Sequence, residues 1–165
     1  MKKRKNVFIW FLAIFMGFML PACGGAPELQ EGERYFEGDI PFEYAQSCKV
    51  SYILSADGQS IRDTRIAIKN LSYNIPYHSG GYSGNIRESI ASNSISFSGV
   101  HKLDENGNVE IPSREVILRF SITPNGVSGE MEYSYKTKAG DTPSIELLLG
   151  TYPFVMEDKT DSLGE

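Results

Sequence analysis

The stretch EVILRFSITPNGVSGEMEYSY, residues 115–135, decides the fold class. Apolar side chains occupy alternate positions on both sides of the turn signal Pro124-Asn125-Gly126. The alternating apolar residues are Val116, Leu118, Phe120 and Ile122 before the turn and Val127, Met131, Tyr133 and Tyr135 after it. A period of two predicts strands with one buried face, and an Asn-Gly turn between two such strands predicts a β-hairpin.

The same period extends outward from this hairpin. Cys48, Val50, Tyr52 and Leu54 alternate with polar residues before the turn signal Asp57-Gly58. An extended stretch over 60–75 changes its apolar face after Ile68, which indicates a bulge or a crossing between sheets. Further extended segments are predicted at 86–90, 93–103 and 145–149. No window has a helical period, so we predict an all-β fold, a single antiparallel β-sandwich or small barrel.

The first 22 residues have the parts of a secretory signal peptide. Basic residues occupy positions 2–5, and an uncharged apolar run extends from Val7 to Leu20. This run is shorter than the roughly 20 residues that a membrane-spanning helix needs. Leu20-Pro21-Ala22-Cys23 resembles the lipobox of bacterial lipoproteins. The resemblance implies cleavage between Ala22 and Cys23 and attachment of lipid to the Cys23 thiol; the alternatives are an ordinary secretory signal before a free Cys23, or an uncleaved anchor.

The resemblance also implies a location in the bacterial cell envelope. Stable attachment needs more than one acyl chain, which the lipid of a bacterial lipoprotein supplies. Gly24 rather than Asp follows the cysteine. By resemblance to enterobacterial sorting, this favours the outer over the inner membrane in an organism with two membranes. The domain is then expected to face the periplasm or the cell surface.

The chain beyond residue 22 is acidic. Four of the 16 basic residues lie in the signal, so residues 23–165 carry 12 basic against 21 acidic side chains. Binding to nucleic acid requires Lys and Arg to neutralise phosphates, so we predict no nucleic-acid partner. Residues 23–42 are rich in Gly, Pro and Glu and predict a flexible acidic tether. The β-domain is predicted at 43–155 and a frayed acidic tail at 156–165.

Cys48 has no partner within the chain once Cys23 carries lipid. Its flanks have the pattern of a strand, which predicts a buried thiol. The alternative is an intermolecular disulfide or a reactive thiol in an oxidising compartment.

Residues 72–85, SYNIPYHSGGYSGN, are predicted to contain a recognition loop. Tyr73, Tyr77, His78 and Tyr82 are interleaved with Ser, Gly and Asn, a composition typical of binding surfaces. An envelope protein or a glycan would suit such a surface. The alternative is a flexible loop with Tyr73 and Tyr77 folded into the core. The segment GYSGN matches the nucleophile elbow G-x-S-x-G only in part, because Asn85 occupies the last Gly position.

Residues 104–115, DENGNVEIPSRE, offer oxygen ligands at the spacing of a calcium loop. Asp104, Asn106, Asn108 and Glu115 match positions 1, 3, 5 and 12 of an EF-hand loop. Val109 departs from the pattern, because position 6 requires glycine for a sharp turn. The alternative is a type I′ hairpin turn at Asn106-Gly107.

These features predict a membrane-anchored envelope lipoprotein whose β-sandwich is a binding or structural module. His78 and His101 are the only histidines and lack the spacing of a zinc site. No cofactor is predicted apart from calcium. The alternative function is an envelope enzyme or enzyme inhibitor that acts through carboxylates or a bound cation.

Overall fold

The computed structural model describes residues 26–79, 81–114, 116–137 and 145–164. Its strands are β1 (Arg34–Asp39), β2 (Ser47–Leu54), β3 (Ser60–Ser79), β4 (Tyr82–Lys102), β5 (Asn108–Pro112), β6 (Val116–Thr123), β7 (Gly126–Thr137) and β8 (Ile145–Asp158). A short 3₁₀ helix, Thr160–Gly164, follows β8. The described residues contain no α-helix, so the all-β prediction is confirmed. Within them, no helix has the length and apolar character to cross a membrane.

The strands form one antiparallel sheet in the order β4-β3-β2-β1-β8-β7-β6-β5. Strands adjacent in sequence pair along each half, and β1 pairs with β8 to join the two halves. The sheet curls until it is nearly barrel-shaped, so that the half β1–β4 faces the half β5–β8. It opens between β4 and β5, the two ends of the strand order. The predicted antiparallel β-domain is therefore confirmed.

One apolar core fills the space between the two halves. The predicted alternation in β2 is correct, because Cys48, Val50, Tyr52 and Leu54 are each at most 2% exposed. The ring of Tyr52 meets the ring of Phe120 edge-on, with 5.1 Å between centroids, which connects β2 to β6 across the core. Burial of these side chains supplies the main driving force for closing the sheet.

The phase change predicted in β3 occurs at Asn70. Ile68 and Leu71 are buried, whereas Lys69 and Asn70 between them are both exposed. Asn70 has a φ of 51°, in the left-handed region that Asn tolerates better than most residues. The strand continues through this residue, so the change of face is a local backbone feature and not a crossing between sheets.

The tether predicted at 23–42 is wrong for residues 34–39, which form β1 in the middle of the sheet. Phe36 is the one large apolar side chain that β1 buries in the core. Gly38 lets β8 approach closely, since a Cβ there would lie 2.5 Å from the carbonyl oxygen of Val155. A strand with one large apolar residue and one glycine has no detectable apolar period, so the sequence alone does not predict β1.

The segment before β1 is also held against the sheet. The guanidinium of Arg62 donates to both carboxylate oxygens of Glu33, at 2.9 and 2.7 Å, and to the carbonyl oxygen of Glu28 at 3.1 Å. This fork lowers the pKa of Glu33 to about 2, with a further contribution from the backbone amide of Gln30. Ile53 lies outside the central core and is 1% exposed beside this segment. We call the contact of Arg62 with Glu28 and Glu33 the Arg62 clasp.

The acidic tail predicted at 156–165 is wrong for most of its length. β8 continues to Asp158, and the 3₁₀ helix follows it. The amide of Tyr35 donates to Thr160 Oγ1 at 2.9 Å, and the amide of Lys159 donates to the carbonyl of Tyr35 at 2.8 Å. These contacts extend the domain beyond the predicted bounds of 43–155 at both ends.

We predict opposite effects for two substitutions at the central aromatic contact. The hydroxyl of Tyr52 is buried and has no hydrogen-bond partner among the described residues, so Tyr52→Phe should keep or raise the free energy of unfolding. Phe120→Ala should lower it by about 3–5 kcal/mol, because the ring leaves a cavity. Denaturant titration measures both. A loss of more than about 1 kcal/mol for Tyr52→Phe would show that the hydroxyl is bonded.

We predict that the Arg62 clasp makes a pH-dependent contribution to stability. The pKa of Glu33 falls from 4.5 to about 2 on folding, so the contribution is complete above pH 4.5 and is lost as the pH falls toward 2. Arg62→Met should lower the free energy of unfolding by about 1 kcal/mol near neutral pH. This difference from the wild type should shrink below pH 4.5. Arg65→Met, which removes a charge outside the clasp, is the control and should show no such pH dependence.

Candidate functional site

β3 and β4 extend beyond the end of β2 as a two-stranded arm. β2 pairs with β3 only as far as Lys69, whereas β3 and β4 remain paired up to Ser79 and Tyr82. We call residues 71–90 the β3–β4 arm. Eight residue steps from Leu71 to Ser79 give it a length of roughly 27 Å. The loop predicted within 72–85 is therefore wrong in form, because residues 72–79 and 82–85 are paired strands of an antiparallel hairpin.

The four predicted recognition residues fall into two groups. Tyr73 is 5% exposed and belongs to the core, so it is not part of the exposed surface of the arm. Tyr77 pairs with Gly84, His78 with Ser83, and Tyr82 with Ser79 along the backbone of the arm. The side chains of Tyr77, His78 and Tyr82 lie outside the described part of the chain. Their strand positions nevertheless place all three residues near the tip.

The segment GYSGN does not have the setting of a nucleophile elbow. Ser83 lies near the start of β4, which continues as a strand to Lys102. A nucleophile elbow requires a turn from a strand into a helix. The partial sequence match therefore carries no catalytic meaning.

Among the predicted calcium ligands of the β4–β5 turn, Asp104 accepts backbone hydrogen bonds from within the turn. Asp104 Oδ1 accepts from the amides of Asn106 and Asn108, each at 2.8 Å, and the amide of Gly107 donates to the Asp104 carbonyl at 3.0 Å. The bond from the Asn108 amide is the main cause that lowers the pKa of Asp104. Glu115, the predicted bidentate ligand, lies outside the described residues. The geometry favours the turn over the cation site.

The turn differs in detail from the predicted type I′. Gly107 has a φ of 79°, but Asn106 is not among the residues with positive φ. A type I′ turn requires positive φ at both central positions, so this is a longer turn that ends in a left-handed glycine. A Cβ at Gly107 would lie 2.2 Å from the carbonyl oxygen of Ile122, so this position requires glycine.

Two other reactive residue types are placed in or beside the core. Cys48 is 2% exposed in β2, and burial raises the pKa of its thiol to about 12, so it is not a nucleophile at neutral pH. This agrees with the predicted buried thiol. His101 is half-buried at the end of β4, and its Nε2 has no hydrogen-bond partner among the described residues. The described residues hold no cluster of His, Cys, Asp and Glu able to bind a metal ion.

The most prominent group of carboxylates surrounds Arg119 on the outer face of β5–β7. The guanidinium contacts Glu110 at 2.8 Å, Glu132 at 2.9 Å and Glu130 at 3.2 Å. All four side chains are more than a third exposed. The arrangement is a solvated ion-pair network in which one cation bridges three strands, and networks of this kind contribute modestly to stability.

The outer face of β2–β4 has the opposite charge. Lys49, Arg65 and Lys69 line a shallow depression of about 730 Å³ whose floor includes Ala67, Ser92 and Ser94. Lys49 is paired with Glu37 at 2.6 Å, whereas Arg65 and Lys69 make no ion pair within the described chain. We call Lys49, Arg65 and Lys69 the basic rim. The sequence did not reveal it, because these residues lie on two strands and join one face only through strand register.

Comparison of the chain with known protein families, with curated proteins and with solved structures found no match.

We predict that calcium does not stabilise the β4–β5 turn. Melting temperature should be equal in calcium-free and calcium-containing buffer, because both amide bonds to Asp104 Oδ1 form without a cation. Asp104→Ala should lower the melting temperature in either buffer. Glu105→Ala, which changes the neighbouring exposed acid, is the matched control and should have little effect. A rise in melting temperature with calcium that Asp104→Ala abolishes would support the cation site instead.

Proposed function

We propose that this protein is a lipid-anchored bacterial envelope protein whose β-domain binds a partner through the β3–β4 arm. The lipobox resemblance at residues 20–23 supports the anchor. The observation that carries the binding role is the placement of the arm relative to the amino-terminal attachment.

The amino-terminal segment meets the sheet at the end opposite the tip of the arm. Arg62, which holds Glu28, is the third residue of β3, whereas the tip follows Ser79 at the other end of the same strand. Gly32 likewise lies beside Ala56 in the turn before β3. Seventeen residue steps from Arg62 to Ser79 correspond to a path of up to roughly 55 Å along the strand.

The clasp also limits how far the domain can move from its anchor. Cys23 and Glu28 are five residues apart, a span of at most about 18 Å when fully extended. A domain held this closely at one end would direct its opposite end away from the lipid. Tyr77, His78 and Tyr82 lie near that distal end, and aromatic residues among Ser, Gly and Asn suit protein or glycan recognition.

The anchor is tested by mass spectrometry of the protein isolated from bacterial membranes. We expect an amino terminus at Cys23 that carries the mass of a diacylglyceryl group. Retention of residues 1–22, or an unmodified Cys23, would contradict the proposed anchor.

The arm is tested by Tyr77→Ala combined with Tyr82→Ala in quantitative pull-downs from envelope extracts. We expect at least about tenfold lower recovery of the bound partner, because aromatic residues dominate binding energy in such surfaces. Val155→Ala, at an exposed apolar position of β8, is the control and should leave recovery unchanged. Equal recovery by all three proteins would exclude the arm as the contact surface.

A further inference from the structure

The two open edges of the sheet differ in their protection against strand pairing. β5 has five residues, including the charged Glu110 and the proline Pro112. β4 has 21 residues, and its segment from Ser89 to Val100 contains neither a charged residue nor a proline. Natural edge strands are normally short or interrupted by charge, proline or bulges, because open backbone groups pair with other chains.

The rest of the chain leaves most of β4 uncovered. β4 pairs only with β3 among the described strands, and β5 is too short to pair with more than a quarter of its length. Gly99, with a φ of 98°, and the register shift opposite Asp63 twist only the carboxyl-terminal end of β4. Residues 92–97, before this irregularity, keep a regular register with β3, and Ala91 directly precedes them, so the outer edge of Ala91–Phe97 is suited to pairing.

The basic rim lies beside this open edge. Arg65 is opposite Ser96, Ala67 is opposite Ser94, and Lys69 is opposite Ser92. Directly opposed residues in an antiparallel pair share a face of the sheet. On this face, only small serine side chains lie between the two cations of β3 and the open edge of β4. A strand added to β4 would lie roughly 10 Å from β3, within reach of long Arg and Lys side chains.

The charges decide between two occupants of this edge. A second copy paired antiparallel through β4 would bring its own Arg65 and Lys69 to the same face, where like charges repel. A partner strand with acidic residues at alternate positions would instead place its carboxylates beside the basic rim. The chemistry therefore favours an acidic strand over self-association.

We propose that the β4 edge at Ala91–Phe97 binds an extended acidic segment of a partner protein by strand addition, with its carboxylates against Arg65 and Lys69. Backbone hydrogen bonds then supply affinity, and the alternate carboxylates supply specificity. The proposal rests on the proposed role of the β-domain as an envelope binding module, and it uses a different surface from the tip of the β3–β4 arm.

The test uses the full chain and a synthetic peptide, acetyl-Thr-Glu-Val-Glu-Thr-Glu-Thr amide, in fluorescence or calorimetric titrations. We expect saturable binding, slower hydrogen exchange at Ala91–Phe97, and no binding of the same peptide with Lys in place of Glu. Arg65→Glu should weaken binding by about tenfold or more. Arg114→Glu, which makes the same charge change at an exposed position between β5 and β6, should leave binding unchanged.

Two N-methylated peptides separate strand addition from simple charge attraction. Alternate amides of an added strand point toward β4 and away from it, so methylation of one alternate set should abolish binding and methylation of the other should preserve it. Equal behaviour of the two methylated peptides, or failure of the parent peptide to bind, would overturn the proposal. Sedimentation that shows a dimer which the peptide does not dissociate would overturn it in favour of a second copy.

The double variant in the β3–β4 arm distinguishes failure of this proposal from failure of the proposed function. Tyr77→Ala with Tyr82→Ala should bind the peptide as the wild type does, because the substitutions lie outside Ala91–Phe97. Failure of the peptide test would leave binding through the arm intact, and failure of the arm test would leave the edge intact.

Discussion

The pairing of the first strand with the last is the contact on which the rest of the structure depends. Phe36 is opposite Asp158 and Glu37 is opposite Glu157 at this β1–β8 seam. Without the seam, the halves β1–β4 and β5–β8 would each leave an apolar face uncovered. Opposed carboxylates weaken a strand pair, but Lys49 donates to Glu37 at 2.6 Å and Lys159 lies 2.5 Å from Glu157. At the seam, backbone pairing is thus accompanied by two ion pairs that neutralise the opposed carboxylates.

The seam also determines where the sheet opens. Once β1 and β8 are joined, the strands left at the ends of the order are β4 and β5, whose lengths of 21 and five residues cannot match. Full closure would remove both edges. The difference in length between β4 and β5 prevents full closure of this sheet. The long free edge of β4 therefore remains next to the basic rim. An opening of this kind follows from topology and not from any one residue.

The sequence predicts the strands whose pattern is contained in consecutive residues. β2, β6 and β7 carry a two-residue apolar period. Their predicted inward positions are buried except for Ile122, which is half-buried, and Tyr135, whose side chain lies outside the described part of the chain. β1 has no such local pattern, because Glu157, the partner of Glu37, lies near the other end of the sequence and Gly38 supplies no side chain. The Ser, Gly and Asn residues of the arm have low strand propensity and predict a loop, but pairing between β3 and β4 overrides this propensity. The sequence shows which oxygen-bearing side chains the β4–β5 turn contains, but not that the amides of Asn106 and Asn108 already donate to Asp104 Oδ1.

Net charge and local charge have different consequences for this domain. Residues 23–165 have nine more acidic than basic side chains, which would oppose both a second copy and an acidic partner at long range. At physiological ionic strength this repulsion is screened over about 8 Å, so charges close to the contact decide which chain is held. At the β4 edge those charges are Arg65 and Lys69 beside uncharged serines. The proposed binding of an acidic strand is therefore compatible with a domain whose net negative charge keeps its copies apart. Attraction to Arg65 and Lys69 acts at contact distance, whereas the repulsion between net charges acts at longer range.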